Sequence, residues 1–172
     1  AQAVVLARES GDARLVAFGF NSIGDCVYDR DSDTLYISDN ADNADFPGPP
    51  AIGALGGDTV FAVPAASAAS GLIANDLELL PAGSIEFASS LALAANGDLL
   101  VGNAAGAGNG TVLRLDSGNT LTTFAAGFDF TGGIAVEAAS GDVFVAENLA
   151  SFDSQVSRFD AGGTPLAAPL LG

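Results

Sequence analysis

Lysine, histidine, methionine and tryptophan are all missing from this sequence of 172 residues. Histidine and lysine are the usual general bases and Schiff-base nucleophiles of enzymes, so their absence weakens the case for catalysis. Because position 1 is not methionine, the sequence does not begin at a translation start. We therefore expect either that a leader was removed or that these residues belong to a longer chain.

Basic residues are scarce, and there is one cysteine. Five arginines oppose 21 acidic residues, which gives a net charge of −16. Such a surface repels phosphate and anionic lipid and attracts cations, so we expect no nucleic-acid partner. No apolar run approaches the roughly 20 residues of a membrane span, so we expect no membrane insertion. Cys26 cannot form an intrachain disulfide, and its place in an apolar run predicts a small buried side chain.

Short apolar runs broken by Gly, Asp and Ser fill most of the chain, and this pattern predicts antiparallel strands. The stretch over residues 121–160 shows it best, and the same unit recurs upstream. We place three repeats at about residues 20–80, 86–124 and 128–171, with the outer half of a further unit at 2–18. In that half unit, residues 4–7 match 112–115, and residues 15–18 match 121–124.

Two insertions depart from this pattern. Residues 41–57 are rich in proline and polar residues and are predicted to form a loop. Residues 64–75 are rich in Ala and Ser, and a helical turn is expected within 65–75. Residues 77–80 then read as an outer strand.

Tandem four-stranded units of about 40 to 50 residues are typical of a β-propeller. The sequence therefore predicts a single all-β domain, a β-propeller of four-stranded antiparallel blades with three full repeats and a half blade per chain. Within the third repeat, residues 133–137 (GIAVE), 141–148 (GDVFVAEN) and 156–160 (VSRFD) resemble the NHL-type blade. The gluconolactonase, strictosidine-synthase and YncE-like propellers are related groups. The resemblance implies a propeller more strongly than any activity.

Three repeats and a half do not close a ring, because closed propellers have about four to eight blades. Open blade faces and a free strand edge invite pairing with another chain. We expect either a homo-oligomer, a piece of a longer propeller or an open polymer. The contacts in an assembly are predicted at residues 2–18 and 155–171.

Oxygen-bearing side chains recur at one end of the predicted blades. Those at the ends of the second strands are Asp39, Asn103 and Glu147. Those in the connectors between blades are Asn21, Glu86 and Asp129. Calcium prefers six to eight such oxygens. The resemblance to gluconolactonase-like propellers implies a divalent metal on a ring of this kind, of which one chain would supply at most half. Solvated strand ends and turns are the competing interpretation.

A local acidic cluster is the second candidate for Ca²⁺. Asp39, Asp42, Asn43 and Asp45 crowd one proline-flanked loop, where like charges repel one another unless a cation intervenes. A turn at Asp29, Asp31 and Asp33 has alternating carboxylates, but it lacks the glycine and distal glutamate of an EF-hand, so we interpret it as a solvated hairpin turn.

Function is predicted in three forms. The first is a non-catalytic propeller module of a secreted or cell-surface protein, which acts in binding or self-assembly with Ca²⁺ in acidic loops. The alternatives are a Ca²⁺-dependent lactonase-like hydrolase, with Asp129 or Glu147 as the base, and a structural subunit of an extracellular filament. No catalytic residue is assigned from the sequence, and no small-molecule ligand is named by it.

Overall fold

The computed structural model describes residues 2–7, 11–41 and 57–166. The chain divides into two compact units, Ala1–Ile85 and Glu86–Gly172, which are described separately. No described residue lies in an α-helix, and no described helix is long and apolar enough to cross a membrane. The prediction of an all-β chain built from antiparallel sheets is confirmed.

The first unit contains two sheets. In one sheet, β2 pairs antiparallel with β1 and, over two residues, parallel with β6; the other sheet has the antiparallel order β3-β4-β5. The elements are β1 Gln2–Ala7, β2 Ala13–Phe20, β3 Ile23–Asp29, β4 Thr34–Asp39, β5 Thr59–Val63, β6 Leu72–Ile73 and the 3₁₀ helix Ala74–Asp76. The helical turn expected within residues 65–75 is thus a turn over residues 64–68 followed by this 3₁₀ helix.

The second unit also contains two sheets. One is a four-stranded antiparallel sheet in the order β7-β8-β9-β10, and the other has the order β11-β12-β13. The strands are β7 Ala88–Leu93, β8 Leu99–Asn103, β9 Gly110–Leu115, β10 Leu121–Phe128, β11 Phe130–Val136, β12 Val143–Asn148 and β13 Ser154–Phe159. In this unit β11 packs against β7 and β8.

The predicted four strands per blade are present in one described sheet. In two others the fourth strand is reduced to an isolated bridge, Phe61 with Glu78 and Phe159 with Pro165. The outer strand expected over residues 77–80 is therefore wrong. A proline lies at or just beyond each of these bridges, and proline cannot donate to a strand ladder, so the pairing stays short.

Each unit has its own apolar core. In the first unit, Phe20 meets Phe61 edge to face, with 5.1 Å between the ring centroids. In the second unit, Phe159 makes the same kind of contact with Phe124 at 6.1 Å and with Phe128 at 5.9 Å. Cys26 belongs to neither core: its side chain is exposed, which corrects the prediction of a buried thiol.

A bulge recurs at the start of three sheets. The first strand pairs with an oxygen-bearing residue at or next to the end of the second strand, and the register then slips by one residue. The three pairs are Ile23 with Asp39, Ala88 with Asn103, and Thr131 with Glu147. Asp39, Asn103 and Glu147 thus hold equivalent positions, as the repeat pattern predicted.

Candidate functional site

The oxygen-bearing residues at the second-strand ends all bind the connector that leads into their own blade. The backbone N–H of Asn21 donates to Asp39 Oδ2 at 2.7 Å, that of Phe87 to Asn103 Oδ1 at 3.0 Å, and that of Asp129 to Glu147 Oε2 at 3.0 Å. We call this repeated contact the connector clasp. It satisfies backbone donors that no strand partner reaches, which is a structural role shared by three blades.

Asp39 is the most enclosed of the three residues. Its side chain is fully buried, and its carboxylate accepts from the N–H groups of Asn21, Ser22 at 2.9 Å and Ala41 at 3.4 Å. Burial raises the pKa of this carboxyl, and the three backbone donors oppose that shift. Asn21 also donates its side-chain amide to the carbonyl of Ala41 at 3.1 Å, so the connector is tied at several points.

Glu147 is buried but lies beside open space. The N–H of Asp129 binds one of its oxygens, and Gln155 Nε2 donates to the other at 2.6 Å. Glu147 is one of the residues that line a cavity of about 180 Å³ within the second unit. The lining is Gly132, Ala146, Glu147, Asn148, Ser154, Gln155 and Val156. Glu147 is therefore a buried carboxylate held by two donors, on a strand that borders a small cavity.

The remaining connector residues differ from one another. Asp129 accepts the backbone N–H of Gly108 and of Ala150, both at 2.8 Å, so its two oxygens tie two loops together. Glu86 is exposed. Asn103 donates its amide to Thr111 Oγ1 at 3.4 Å in addition to its clasp.

The structure adds residues that the sequence analysis missed. Ser89, Ser90 and Thr131 place three hydroxyl oxygens at 2.3–3.2 Å from the point where a side chain on Gly102 would begin. Ser89 Oγ donates within a network that includes the carbonyls of Gly102 and Thr131, each at 3.0 Å. Thr131 is the register partner of Glu147, so this hydroxyl cluster adjoins the clasp.

Only the strand register could have pointed to these residues. Ser89 and Ser90 face the same point because the β7 bulge turns two consecutive residues toward Gly102. Gln155 lies opposite Glu147 across the β12–β13 hairpin. Neither bulges nor cross-strand partners were assigned from the sequence, although a count from the turn at 149–153 would have paired Gln155 with Glu147.

The two local acidic candidates differ in what the structure says of them. Asp42, Asn43 and Asp45 lie outside the described residues, so the loop site stays a prediction.

In the turn at 29–33, Asp29 accepts from the N–H of Asp31 and the hydroxyl of Ser32, and Asp33 accepts from Tyr28 and Ser67. These hydrogen bonds lower the pKa of both carboxyls. The carboxylates of Asp29 and Asp33 are thus engaged within the turn and by Tyr28 and Ser67 outside it. Over the residues that are described, no group of three or more Asp, Glu, His or Cys side chains could hold a metal.

No family model matches the sequence, and no curated protein matches it. Solved structures do match. One is a gluconolactonase from Xanthomonas campestris, described as important in glucose secondary metabolic pathways, with 19% identity, a TM-score of 0.65, and coverage of 94% of this chain and 53% of that one. Another is a protein inferred to be a gluconolactonase, also 19% identical, with a TM-score of 0.63 and coverage of 96% and 55%.

These matches show a β-propeller-like fold of the kind found in gluconolactonases. The chain spans about half the length of the matched proteins. They also correct the leading functional prediction: a non-catalytic binding or assembly module is contradicted, because the matched propellers are described as gluconolactonases, which favours the hydrolase alternative.

Proposed function

We propose that this chain forms part of a lactonase-like hydrolase that opens a cyclic ester. The observation that carries the proposal is the match of nearly the whole chain to two propellers described as gluconolactonases. It is supported by Glu147, a buried carboxylate that is held by two donors and belongs to a strand bordering a cavity. Since the chain covers about half of those proteins, the active unit includes further propeller blades, from a longer chain or from a second copy.

Hydrolysis of a lactone needs a base and a proton donor. Water adds to the ester carbonyl carbon while a base takes one of its protons; the ring C–O bond then breaks, and the proton passes to the departing alkoxide. Glu147 is the base we propose. Asp129, the other candidate, has both oxygens engaged by backbone N–H groups of two loops, which suits a structural role better.

A hard cation such as Ca²⁺ suits the donor chemistry at the connector clasps. In the second unit, Asn103 and Glu147 offer amide and carboxylate oxygens, and each oxygen of Glu147 keeps lone-pair capacity beyond the one hydrogen bond that it accepts. The ion pairs seen among the described residues include Arg114–Asp98 and Arg158–Asp142, and neither involves a buried clasp carboxylate. When bound, the ion would polarise the lactone carbonyl.

The finer family assignment and the blade count belong to the same proposal. The NHL-type segments at 133–137, 141–148 and 156–160 support a blade repeated three times, with a half blade at residues 2–18. The proposed localisation is secreted or cell-surface.

The test is lactone hydrolysis by the protein, measured as acid release from five- and six-membered aldonolactones with Ca²⁺ present. Replacing Glu147 by Gln keeps the shape and removes the base, so we expect the rate to fall by about 100-fold or more. Glu137→Gln is the matched control, because Glu137 is exposed and bonds the hydroxyl of Ser140 in a turn. Hydrolysis at the background rate by the unaltered protein, or an unchanged rate in Glu147→Gln, would overturn the proposal.

A further inference from the structure

Asp129 connects the two sheets of the second unit, and it is the single residue between strands β10 and β11. Its backbone N–H donates to Glu147 Oε2 at 3.0 Å. Its side chain accepts two further backbone N–H groups, that of Gly108 on Oδ1 and that of Ala150 on Oδ2, both at 2.8 Å. One residue thus binds the proposed base and two separate loops.

The two loops lie at the end of their sheets where Glu147 lies. Residues 104–109 follow β8 of the sheet β7-β8-β9-β10, and residues 149–153 follow β12 of the sheet β11-β12-β13. β8 ends at Asn103, whose position is equivalent to that of Glu147 on β12. The carboxylate of Asp129 therefore joins the corresponding loops of two neighbouring blades at the end where the proposed base lies.

Part of this arrangement recurs in the first unit. There the connector residue Asn21 donates its side-chain amide to the carbonyl of Ala41, just beyond the end of β4, at 3.1 Å. The bond between Asp129 and Ala150 is the counterpart, because Ala150 lies just beyond the end of β12. The bond between Asp129 and Gly108 is an additional tie, and it reaches the loop of the preceding sheet.

Small residues make up most of the loop over residues 104–109. It reads AAGAGN, so it has few side-chain atoms with which to pack. Gly106 and Gly108 have φ values of +100° and +75°, and a side chain on either would meet no described atom within 4 Å. A loop with so few packing contacts opens easily unless hydrogen bonds restrain it. The bond from Gly108 to Asp129 therefore restrains the far end of a loop that its own side chains hold weakly.

An aspartate at position 129 suits the task of holding two loops. Two backbone N–H donors need two acceptors, and a carboxylate supplies one oxygen for each. An asparagine would offer one oxygen and turn its amide N–H groups toward the other donor. The two hydrogen bonds of Asp129 therefore use the property that separates a carboxylate from an amide of the same shape.

We propose that Asp129 is a positioning residue for the lactone-opening reaction. Its carboxylate fixes the loops over residues 104–109 and 149–153, and these loops in turn fix its backbone, whose N–H orients Glu147. The base and the two loops then keep one geometry, as proton transfer to a well-placed base requires. The positioning role rests on the proposed function, whereas the hold of Asp129 on the loops does not.

Amide hydrogen exchange, measured by NMR on the full chain, tests the hold on the loops. In Asp129→Ala, the amides of Gly108 and Ala150 should both exchange about 10-fold faster or more, because each loses an ionised acceptor. Asp129→Asn keeps one acceptor and the shape of the side chain, so one of the two amides should exchange faster. This variant also serves if Asp129→Ala fails to fold.

Asp116→Ala is the matched control for the exchange measurement. Asp116 also accepts two backbone N–H groups, those of Gly118 and Thr120, in the turn between β9 and β10 at the opposite end of the sheet. Its loss should speed the exchange of these two amides and leave those of Gly108 and Ala150 unchanged.

Lactone hydrolysis with Ca²⁺ present tests the positioning role. In Asp129→Ala, kcat should fall by roughly 10-fold while KM changes little, because the base is displaced rather than removed. Asp116→Ala should keep the kcat of the parent. A residue that only supports the fold would lower the melting temperature and leave kcat of the folded enzyme as it was.

Two results would overturn the proposal. One is that either loop amide keeps its protection in Asp129→Ala, or that both keep it in Asp129→Asn. The other is a kcat equal to that of the parent although the amides are released. A parent protein that hydrolyses no lactone would overturn the proposed function and the positioning role with it, and the exchange rates would still show whether Asp129 holds the two loops.

Discussion

Asp39 and Glu147 occupy the same position in two blades, yet the structure surrounds them differently. Both are buried, and both clasp a connector. Asp39 accepts from three backbone N–H groups, whereas Glu147 accepts from one backbone N–H and one side-chain amide and lines a cavity. Equivalent places in a repeat thus differ in their partners: backbone N–H groups alone hold Asp39, whereas a side chain of the neighbouring strand also holds Glu147.

The largest expected effect is the loss of the Asp39 clasp. Asp39→Ala leaves three backbone donors without their acceptor in a buried place, which should reduce the free energy of unfolding by about 3 kcal/mol. Asp116→Ala is the control, because Asp116 also accepts two backbone N–H groups but is exposed to water. Urea unfolding followed by circular dichroism measures both. Equal losses in the two variants would show that burial of the clasp contributes nothing.

Calcium binding comes next, and it separates the two predicted metal sites. An ion that binds the folded state alone at about 100 times its Kd raises the free energy of unfolding by about 2.7 kcal/mol, and the melting temperature rises with it. Asp42→Ala with Asp45→Ala should abolish the rise if the acidic loop holds the ion. Glu147→Gln should abolish it if the second-strand ring does. If calorimetry at millimolar Ca²⁺ detects no binding, both sites are wrong.

The strand pattern, the repeat and the equivalence of Asp39, Asn103 and Glu147 could all be predicted from the sequence, because turn residues punctuate every apolar run. The register could not. Matching residues 15–18 to 121–124 by apolar character is off by two positions, since the bulges shared by β2 and β10 align the two strands 108 residues apart. A bulge breaks the two-residue period on which such matching depends.

The sequence also could not predict the burial of a side chain where that burial depends on neighbouring strands. Cys26 lies in an apolar run, but it borders a cavity of the first unit and its side chain is exposed. The fourth strand at residues 77–80 has an apolar sequence and still forms a single bridge. In both cases the local pattern is correct for a complete blade, and the difference comes from which strands are beside it.

A smaller effect concerns Gln155, the donor that Glu147 has and Asp39 lacks. Its amide hydrogen bond fixes the position of one oxygen of Glu147, so Gln155→Ala should let the carboxylate move and lower the rate of lactone hydrolysis. We expect kcat/KM near neutrality to fall by about 10-fold, which corresponds to about 1.4 kcal/mol. Ser154→Ala, at the neighbouring cavity position, is the control. An unchanged kcat/KM with reduced stability would make Gln155 a packing residue only.

The smallest expected effect is the pH dependence that the Asp39 clasp gives to stability. Burial raises the pKa of Asp39 in the folded state, so the folded protein holds this proton more tightly than the unfolded chain does. Stability should therefore fall as pH rises from the unfolded value of about 3.9 through the higher folded value. Asp29, Asp33 and Asp160 have lowered pKa values, so their contributions are lost as pH falls below that same unfolded value. The two effects occupy different pH windows and have opposite signs.

The contribution of Asp39 is isolated by subtracting the urea-unfolding free energies of Asp39→Asn from those of the parent at each pH. A difference that is flat above pH 4, or that rises with pH there, would mean that the three backbone donors outweigh burial at Asp39.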